Sequence, residues 1–167
     1  MLPPLRGPIR EARPFIIGGE LAWNGLAGLG VNFSYHPIAH LALDSGLGLA
    51  LTGLRLGVRA RANILTGEWT PTFGAGFTLS GGIEDNVPLV VQGEEVTIKV
   101  LESSYVQLVG GVNYTGREGF VFMGLLGYAF LLEPNTRYVE GAMDRYEEAR
   151  QLYAGGVVIS LAFGYAF

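Results

Sequence analysis

The chain contains two histidines, and one of them lies close in sequence to a carboxylate. His40 and Asp44 are four residues apart, so in a β-strand their side chains point to the same face. A histidine held by a carboxylate could activate a serine, provided that the serine lies within hydrogen-bond reach. The same-face positions beside His40 are Ile38 and Ala42 instead. We therefore expect no enzyme, and with two histidines and no cysteine we expect neither a metal site nor a cofactor.

The charged residues are distributed in a way that indicates a buried network. The chain has 11 basic and 15 acidic residues, yet we assign only five to strand interiors: Glu20, Asp44, Arg55, Arg59 and Arg61. Each of them falls on the face opposite the large apolar residues of its strand. An arginine on a lipid-exposed face near the middle of a bilayer costs roughly 2–4 kcal/mol. This placement therefore favours a barrel with lipid outside and charges inside.

The register between two neighbouring predicted strands brings these charges together. The strands pair across a turn at 50–53, which sets Asp44 opposite Arg59 and His40 opposite Asn63. The charges Arg55 and Arg61 then flank the pair, and Glu20 can approach from the first strand. Two interpretations remain open. The charges can form a gate on a narrow polar pathway, or they can fill and fix a lumen that is just wide enough for side chains.

The strands that must position these residues are predicted most clearly at the end of the chain. From Val157 to Phe167 large apolar residues alternate with small ones, as in a strand with lipid on one side and a tight lumen on the other. This strand, with Tyr165 two residues before Phe167, resembles the closing strand of bacterial outer-membrane β-barrels, of the outer membrane protein A-like and opacity-type porin family. The resemblance implies that the barrel-assembly machinery reads Tyr165 and Phe167. A C-terminal edge strand of a soluble β-sandwich is the alternative.

The rest of the chain divides into runs of about ten residues, the length of a tilted transmembrane strand. We predict an all-β fold, an eight-stranded antiparallel transmembrane β-barrel, with strands at 15–23, 26–35, 39–49, 54–64, 70–80, 103–114, 120–132 and 157–167. Asn24-Gly25 predicts a two-residue hairpin turn. The run 120–132 is apolar on both faces, so its inward side stays unassigned. An even number of strands, with short periplasmic turns and longer external loops, is typical of these barrels.

Two long connections, 81–101 and 133–152, fall on the side that we predict to be extracellular. The first can contain a strand at 95–101 and the second a helix at 143–153. Together the connections carry nine acidic and four basic side chains. Because loops on a rigid scaffold often carry function, they can contact a surface or envelope protein partner. They can equally serve only to solvate the rim.

Aromatic residues lie near the predicted strand ends, as in the girdles of membrane barrels. We assign an interface-anchoring role to Trp23, Tyr35, Trp69, Tyr114, Tyr128 and Tyr165. Outer-membrane lipids are therefore expected partners of the outer face.

Composition agrees with these assignments. The chain of 167 residues is 49% hydrophobic and 16% charged, whereas soluble domains are about 25% charged. A formal net charge of −4 argues against nucleic-acid binding, since no basic patch is available. We divide the chain into an N-terminal periplasmic tail, 1–12, and an outer-membrane barrel, 13–167. Met1 is interpreted as a start codon placed before a mature sequence from which the signal peptide is removed.

Three functions are compatible with this sequence. The one that we favour is a structural or interaction protein that displays the two long connections at the cell surface. The second is a narrow passive pore through a glycine-rich, charged lumen. The third is a lipid-modifying enzyme. Barrel enzymes of that kind resemble the chain in strand count, but their histidine and serine face lipid at the outer leaflet, whereas Ser34 and His36 lie beside a predicted periplasmic turn.

Overall fold

The structure, a computed structural model, describes residues 7–167 and contains a closed barrel of eight antiparallel strands. The barrel strands are β1 (Phe15–Trp23), β2 (Leu29–Ile38), β3 (Leu41–Ala50), β4 (Gly53–Asn63), β5 (Trp69–Ser80), β8 (Ser103–Thr115), β9 (Phe120–Leu131) and β11 (Gly155–Ala166). A separate three-stranded sheet consists of β6 (Val87–Val91), β7 (Glu94–Val100) and β10 (Thr136–Gly141). The predicted barrel and its strand number are confirmed. No helix in the described residues is long and apolar enough to cross a membrane.

The barrel closes where its first and last strands meet. β1 pairs with β11, from Ile16 opposite Ala166 to Trp23 opposite Ile159, and with β2 on its other side. Beyond the ladder, the backbone N–H of Phe167 donates to the carbonyl of Phe15 at 2.9 Å. Each barrel strand therefore has two neighbours, and the barrel presents no open strand edge.

The two ends of the barrel differ in the length of their connections. The end that we call the turn end holds the short segments 39–40, 64–68 and 116–119. The opposite end, the loop end, holds 24–28, 51–52, 81–102 and 132–154. Both long connections therefore leave the same end of the barrel, as predicted.

Large apolar side chains cover the outside of the barrel. Leu21, Leu29 and Leu126 are 64%, 66% and 63% exposed, and strand alternation sends their neighbours into the lumen. The five charges assigned to strand interiors all face the lumen and are at most 3% exposed: Glu20, Asp44, Arg55, Arg59 and Arg61. The eight barrel strands, all of them within the described residues, contain no other charged residue. Their outer faces are therefore uncharged.

The lumen has a polar wall and an apolar wall. Polar and charged side chains of β2 to β5 line one side. Strands β8, β9 and β11 line the other with an apolar cluster that includes Tyr105, Val109, Met123, Leu125 and Val158. This cluster explains why the run at 120–132 is apolar on both faces. Met123 and Leu125 point into the lumen, whereas Leu126 and Tyr128 point outward.

The connection between β1 and β2 differs from the prediction. Instead of a two-residue turn at Asn24-Gly25, the five residues 24–28 form a loop, here called the plug loop, that enters the loop end of the lumen. Leu26 and Ala27 are 0% exposed, so burial of apolar surface favours this inward path. Gly28 has a φ of 72°, which only glycine adopts without strain, and it returns the chain to β2. The strand predicted from position 26 therefore begins at Leu29.

The two long connections fold together into a small domain at the loop end, here called the outer subdomain. Its sheet has the order β10-β7-β6. A 3-10 turn (Met143–Arg145) and helix α2 (Tyr146–Gln151) follow β10. Val96, Ile98 and Val100 of β7 pack with Ala149 of α2 in a core whose members named here are at most 1% exposed. The strand predicted at 95–101 and the helix predicted at 143–153 are confirmed, whereas β6 and β10 were not predicted.

The segment before β1 closes the turn end. Residues 1–6 of the predicted tail lie outside the described residues. Ile9–Ala12 form one helical turn, α1, and Arg10 within it is 0% exposed. The Glu11 carboxylate accepts a hydrogen bond from the backbone N–H of Ala39 at 3.1 Å. The described part of the tail is therefore packed against the barrel.

Candidate functional site in the barrel lumen

A buried ionic cluster joins β3 to β4 on the polar wall. Asp44 stands opposite Arg59 in the ladder, in the predicted register, and the Arg59 Nε donates to Asp44 Oδ2 at 2.9 Å. Arg61 donates to both carboxylate oxygens, from Nε to Oδ2 at 2.6 Å and from Nη2 to Oδ1 at 2.9 Å. The three side chains are at most 1% exposed. One carboxylate thus holds two guanidinium groups by charge-assisted hydrogen bonds.

The structure corrects the assignment of the histidines. His40, predicted to face the lumen, is exposed in the turn 39–40, and its Nδ1 lies 2.8 Å from the carbonyl oxygen of Asn63. His36 occupies the lumen instead and is 1% exposed. The register of β2 against β3 shifts near the end of β2, and the residues of a turn do not follow strand alternation. The Asn63 side chain does face the lumen, at 2% exposure.

Arg55 belongs to a second polar group, near the loop end. Its Nε donates to Ser80 Oγ at 3.0 Å, its Nη2 to Thr52 Oγ1 at 3.0 Å, and its Nη1 to the carbonyl of Gly25 in the plug loop at 3.2 Å. The prediction that Arg55 flanks the Asp44 pair within one network was wrong. Four residues along a strand separate Arg55 from Arg59 by about 13 Å, which is too far for a shared carboxylate.

Glu20 also belongs to the loop-end group. Its Oε1 accepts hydrogen bonds from Ser160 Oγ at 2.7 Å and from the backbone N–H of Leu26 at 3.2 Å. The predicted approach of Glu20 to Asp44 was therefore wrong, because Glu20 is engaged by the plug loop. The five inward charges form two separate groups in place of one.

The plug loop is held from both walls of the lumen. Gln107, on the apolar side and 0% exposed, donates from Nε2 to the carbonyls of Asn24 at 2.7 Å and Gly25 at 3.1 Å. On the polar wall, Gly57 makes room for the loop, since a Cβ added there would lie 2.6 Å from Leu26 Cδ1. No sequence pattern linked Gln107 or Gly57 to residues 24–28, because these contacts are non-local.

Tyr105 connects the lumen to the outer subdomain. Its hydroxyl donates to the carbonyl of Tyr153 at 2.9 Å and accepts a hydrogen bond from Asn135 Nδ2 at 2.9 Å. Asn135 Nδ2 also donates to the carbonyl of Tyr153 at 2.7 Å. On the lumen side the Arg55 guanidinium lies 5.1 Å from the centre of the Tyr105 ring, within cation–π range. The same ring therefore contacts the group that binds the plug loop.

Arg10 closes the turn end. Its guanidinium donates to the carbonyls of Gly67 at 2.7 Å and Glu68 at 3.0 Å in the connection between β4 and β5. Burial, together with the charge of Arg61, lowers the pKa of Arg10 from its usual value to about 10. Arg10 therefore stays charged at neutral pH. From the sequence, this segment was assigned only to an N-terminal tail.

The aromatic residues assigned to the interface lie on the outer face. Trp23, Tyr35, Trp69, Tyr128 and Tyr165 are between 37% and 58% exposed. Tyr114 is half-buried because its ring packs 4.8 Å from that of Trp69. The terminal ring of Phe167 is 55% exposed and lies 6.2 Å from the ring of Phe15. These positions suit contact with lipid at the two membrane interfaces.

The fold and the lumen together define a class: a small closed barrel with an uncharged outer face and a filled, charged interior, which is the fold of small outer-membrane β-barrels. Among solved structures, the chain is similar to the N-terminal β-barrel domain of Pseudomonas aeruginosa OprF, at 15% identity and a TM-score of 0.56, over 92% of this chain and 96% of that chain. The predicted resemblance of the chain to small outer-membrane β-barrels is confirmed at the level of the fold.

A second similar structure is that of a major outer membrane protein from Thermus thermophilus, at 15% identity and a TM-score of 0.40, over 92% of this chain and 99% of that chain. This likeness is too remote to interpret. No protein-family model and no curated protein matches the chain.

Proposed function

We propose that this protein is an integral barrel of the bacterial outer membrane that anchors and displays the outer subdomain, and that it does not conduct solutes. Its outer face contacts outer-membrane lipids, and the barrel-assembly machinery inserts it. The observation that carries this proposal is a lumen that is filled at three levels beneath a folded outer subdomain.

The three levels lie along the barrel axis. At the loop end the plug loop places Leu26 in the lumen, at 0% exposure. In the middle the Asp44 cluster spans β3 and β4. At the turn end His36 is 1% exposed, and Arg10 of α1 is 0% exposed. An eight-stranded barrel is just wide enough for side chains to fill, so these groups support a closed lumen.

The outer subdomain is the part of the molecule suited to a partner. It has its own core, so it presents a fixed surface in place of a flexible loop. On the sheet face away from that core, Val90 is 69% exposed and pairs with Glu95. The two connections that form the subdomain, 81–102 and 132–154, carry ten acidic and four basic side chains. This balance favours a surface or envelope protein partner with a basic contact surface.

A passive pore is the second candidate, and one observation favours it. Polar side chains run along the polar wall from Arg55 near the loop end to Asn63 near the turn end, each at most 3% exposed. If the plug loop moved out of the lumen, small solutes could pass along this polar wall through a narrow pore.

Catalysis has little support in the lumen, and we propose that the protein is not an enzyme. Ser34 and His36 are 2% and 1% exposed and face the lumen, so they are shielded from lipid. His40 is exposed, with Ala42 beyond it facing the lumen.

Conductance and topology can be tested on the intact chain. In planar bilayers we expect no stable single-channel conductance from the refolded protein. Stable single-channel conductance from the wild type would favour the pore instead. For topology, Lys99 is the only lysine of the sequence and lies on β7. A membrane-impermeant amine reagent added to intact cells should modify the wild type at Lys99, and Lys99→Arg is the matched control. Equal labelling of the two proteins would contradict display at the cell surface.

A further inference from the structure

The outer subdomain and the plug loop are held by neighbouring side chains of one barrel strand. Tyr105 and Gln107 are two residues apart on β8, so both point into the lumen, and they are 1% and 0% exposed. The Tyr105 hydroxyl donates to the carbonyl of Tyr153 in the outer subdomain at 2.9 Å, whereas Gln107 donates to the plug loop. The contacts of these two parts with the barrel are therefore adjacent.

Arg55 links the first long connection to the same place. The backbone N–H of Gly82, in that connection, donates to the carbonyl of Thr52 at 3.0 Å. The hydroxyl of Thr52 accepts from Arg55 Nη2 at 3.0 Å, and Arg55 Nη1 donates to the carbonyl of Gly25 at 3.2 Å. The guanidinium carbon of Arg55 also lies 5.1 Å from the centre of the Tyr105 ring. Both connections of the outer subdomain therefore contact the group that holds Arg55 in place.

The plug loop depends on side chains for its position. Within the described residues, the loop forms no backbone–backbone hydrogen bond before its last residue. The peptide group between Gly25 and Leu26 is held by side chains instead. Its carbonyl accepts from Arg55 at 3.2 Å and from Gln107 at 3.1 Å, and its N–H donates to Glu20 at 3.2 Å. A shift of these side chains would leave a buried peptide group without partners, which is unfavourable.

These contacts form a continuous path from the outer subdomain to the plug loop. The barrel side chains on it are at most 3% exposed: Glu20, Thr52, Arg55, Tyr105 and Gln107. Energetic coupling between two parts of a protein is carried by chains of packed and hydrogen-bonded side chains of this kind. We propose that the outer subdomain holds the plug loop in the lumen, and that displacement of the subdomain releases the loop.

Release of the plug loop opens the loop end of the lumen alone. The Asp44 cluster and Arg10 lie nearer the turn end, so the opened lumen is a recess and does not conduct. A partner that binds the outer subdomain would thereby uncover this recess, and that consequence rests on the proposed function. The coupling itself is a property of the isolated chain. The conductance and Lys99-labelling experiments test the proposed function separately, so failures of the two proposals are distinguishable.

A single cysteine reports release of the loop. The sequence contains no cysteine and Leu26 is 0% exposed, so in the Leu26→Cys protein a maleimide reacts only when the loop leaves the lumen. Its rate is compared, in refolded protein, with and without Tyr105→Phe. This second substitution removes the hydrogen bonds to the outer subdomain and keeps the ring beside Arg55. Because loss of a hydrogen bond shifts an equilibrium by roughly 2- to 10-fold, we expect faster modification by that factor. Equal rates would overturn the proposal.

Two controls separate release of the loop from general loosening. Tyr138→Phe removes a hydroxyl that donates to the carbonyl of Gly141 within the outer subdomain at 2.7 Å, and it should leave the rate at position 26 unchanged. Val121→Cys moves the reporter to the turn end, where Val121 is 5% exposed, and Tyr105→Phe should not change the rate there. An equal acceleration by Tyr138→Phe, or a parallel increase at position 121, would overturn the proposal.

The reverse effect gives an independent test. A coupling free energy acts in both directions, so loss of the plug-loop contacts should loosen the outer subdomain. Gln107→Leu removes the hydrogen bonds to the loop, and we expect faster proteolysis of 132–154. Thr72→Val is the matched control, since Thr72 is 0% exposed and donates to the carbonyl of Ala62, away from the plug loop. Equal cleavage of these two variants would overturn the proposal, and this comparison decides if Tyr105→Phe does not fold.

Discussion

Arg61 donates two parallel hydrogen bonds to the Asp44 carboxylate across the β3–β4 ladder, at 2.6 Å and 2.9 Å. Asp44 also accepts from Arg59, and it is the one carboxylate that these two guanidinium groups share. The pair therefore determines the charge balance of the polar wall. Removing the carboxylate leaves both arginines buried without a counter-charge.

Asp44→Ala should lower the free energy of unfolding by about 3–5 kcal/mol, the usual cost of breaking a buried ion pair from one side. The measurement is urea unfolding of the barrel in phospholipid vesicles. Asp85→Ala is the control, because Asp85 is exposed in the outer subdomain and such changes usually stay within about 0.5 kcal/mol. Similar losses for both variants would show that the cluster is not a stabilising element.

Gly57→Ala should disturb the plug loop. The added Cβ would lie 2.6 Å from Leu26 Cδ1 and 2.7 Å from Thr78 Cγ2, and overpacking of this kind costs about 1–3 kcal/mol. We expect the same unfolding assay to show that loss. Leu26→Ala is destabilising by itself, because it removes a buried side chain. Gly57→Ala should nevertheless cost less in the Leu26→Ala background than in the wild type, because part of the space is restored. Gly81→Ala is the matched control, since the closest atom to its added Cβ is at 3.8 Å, and it should be neutral.

Tyr105→Phe should loosen the outer subdomain from the barrel. The hydroxyl bonds the carbonyl of Tyr153 and the amide of Asn135, and the net contribution of a hydrogen bond is about 0.5–1.5 kcal/mol. We expect faster proteolysis of the segment 132–154 in the refolded protein. Tyr128→Phe removes a hydroxyl from the exposed outer face and should leave the cleavage rate unchanged. Equal rates for the two variants would mean that Tyr105 does not hold the subdomain.

Tyr153 should make the outer subdomain sensitive to alkaline pH. Burial raises the pKa of Tyr153 in the folded chain above the usual value of about 10. The unfolded chain then loses its proton first, so stability falls as the pH rises through and above about 10. Proteolysis of 132–154 should accelerate over this range. Tyr153→Phe has no ionisable hydroxyl and should show a smaller change with pH. An identical profile for both would assign the effect to other groups.

Phe167→Ala should affect assisted assembly more than unaided folding. The hydrogen bonds between Phe15 and Phe167 involve only backbone atoms, so closure of the barrel survives the substitution. The exposed ring is the part that the assembly machinery is expected to read. Refolding in detergent should therefore be close to wild type, whereas insertion into vesicles that contain the purified machinery should be slower. Phe163→Ala is the control, because Phe163 is also exposed on β11. An equal insertion defect in Phe163→Ala would show that the assembly machinery does not read Phe167 specifically.

Strand alternation allowed the sequence to predict the barrel and the inward direction of its five charges. A side-chain period of two assigns a face to each residue without knowledge of its neighbours. The register of Asp44 against Arg59 followed in the same way, since a short turn fixes which residues face each other. At 120–132 the alternation did not identify the inward face of the strand, because both faces of β9 contact apolar surroundings.

Tertiary structure decided what fills the lumen. The plug loop, the separation of Glu20 and Arg55 from Asp44, and the packing of Arg10 all depend on contacts between residues far apart in sequence, which exist only after the barrel has closed. Asn24-Gly25 is a good local turn, yet burial of Leu26 outweighs that preference. The prediction for His40 was wrong because His40 lies in the turn 39–40, where strand alternation does not apply, whereas His36 faces the lumen because the alternation of β2 continues to it. The sequence by itself therefore determined the wall of the barrel, and closure determined its contents.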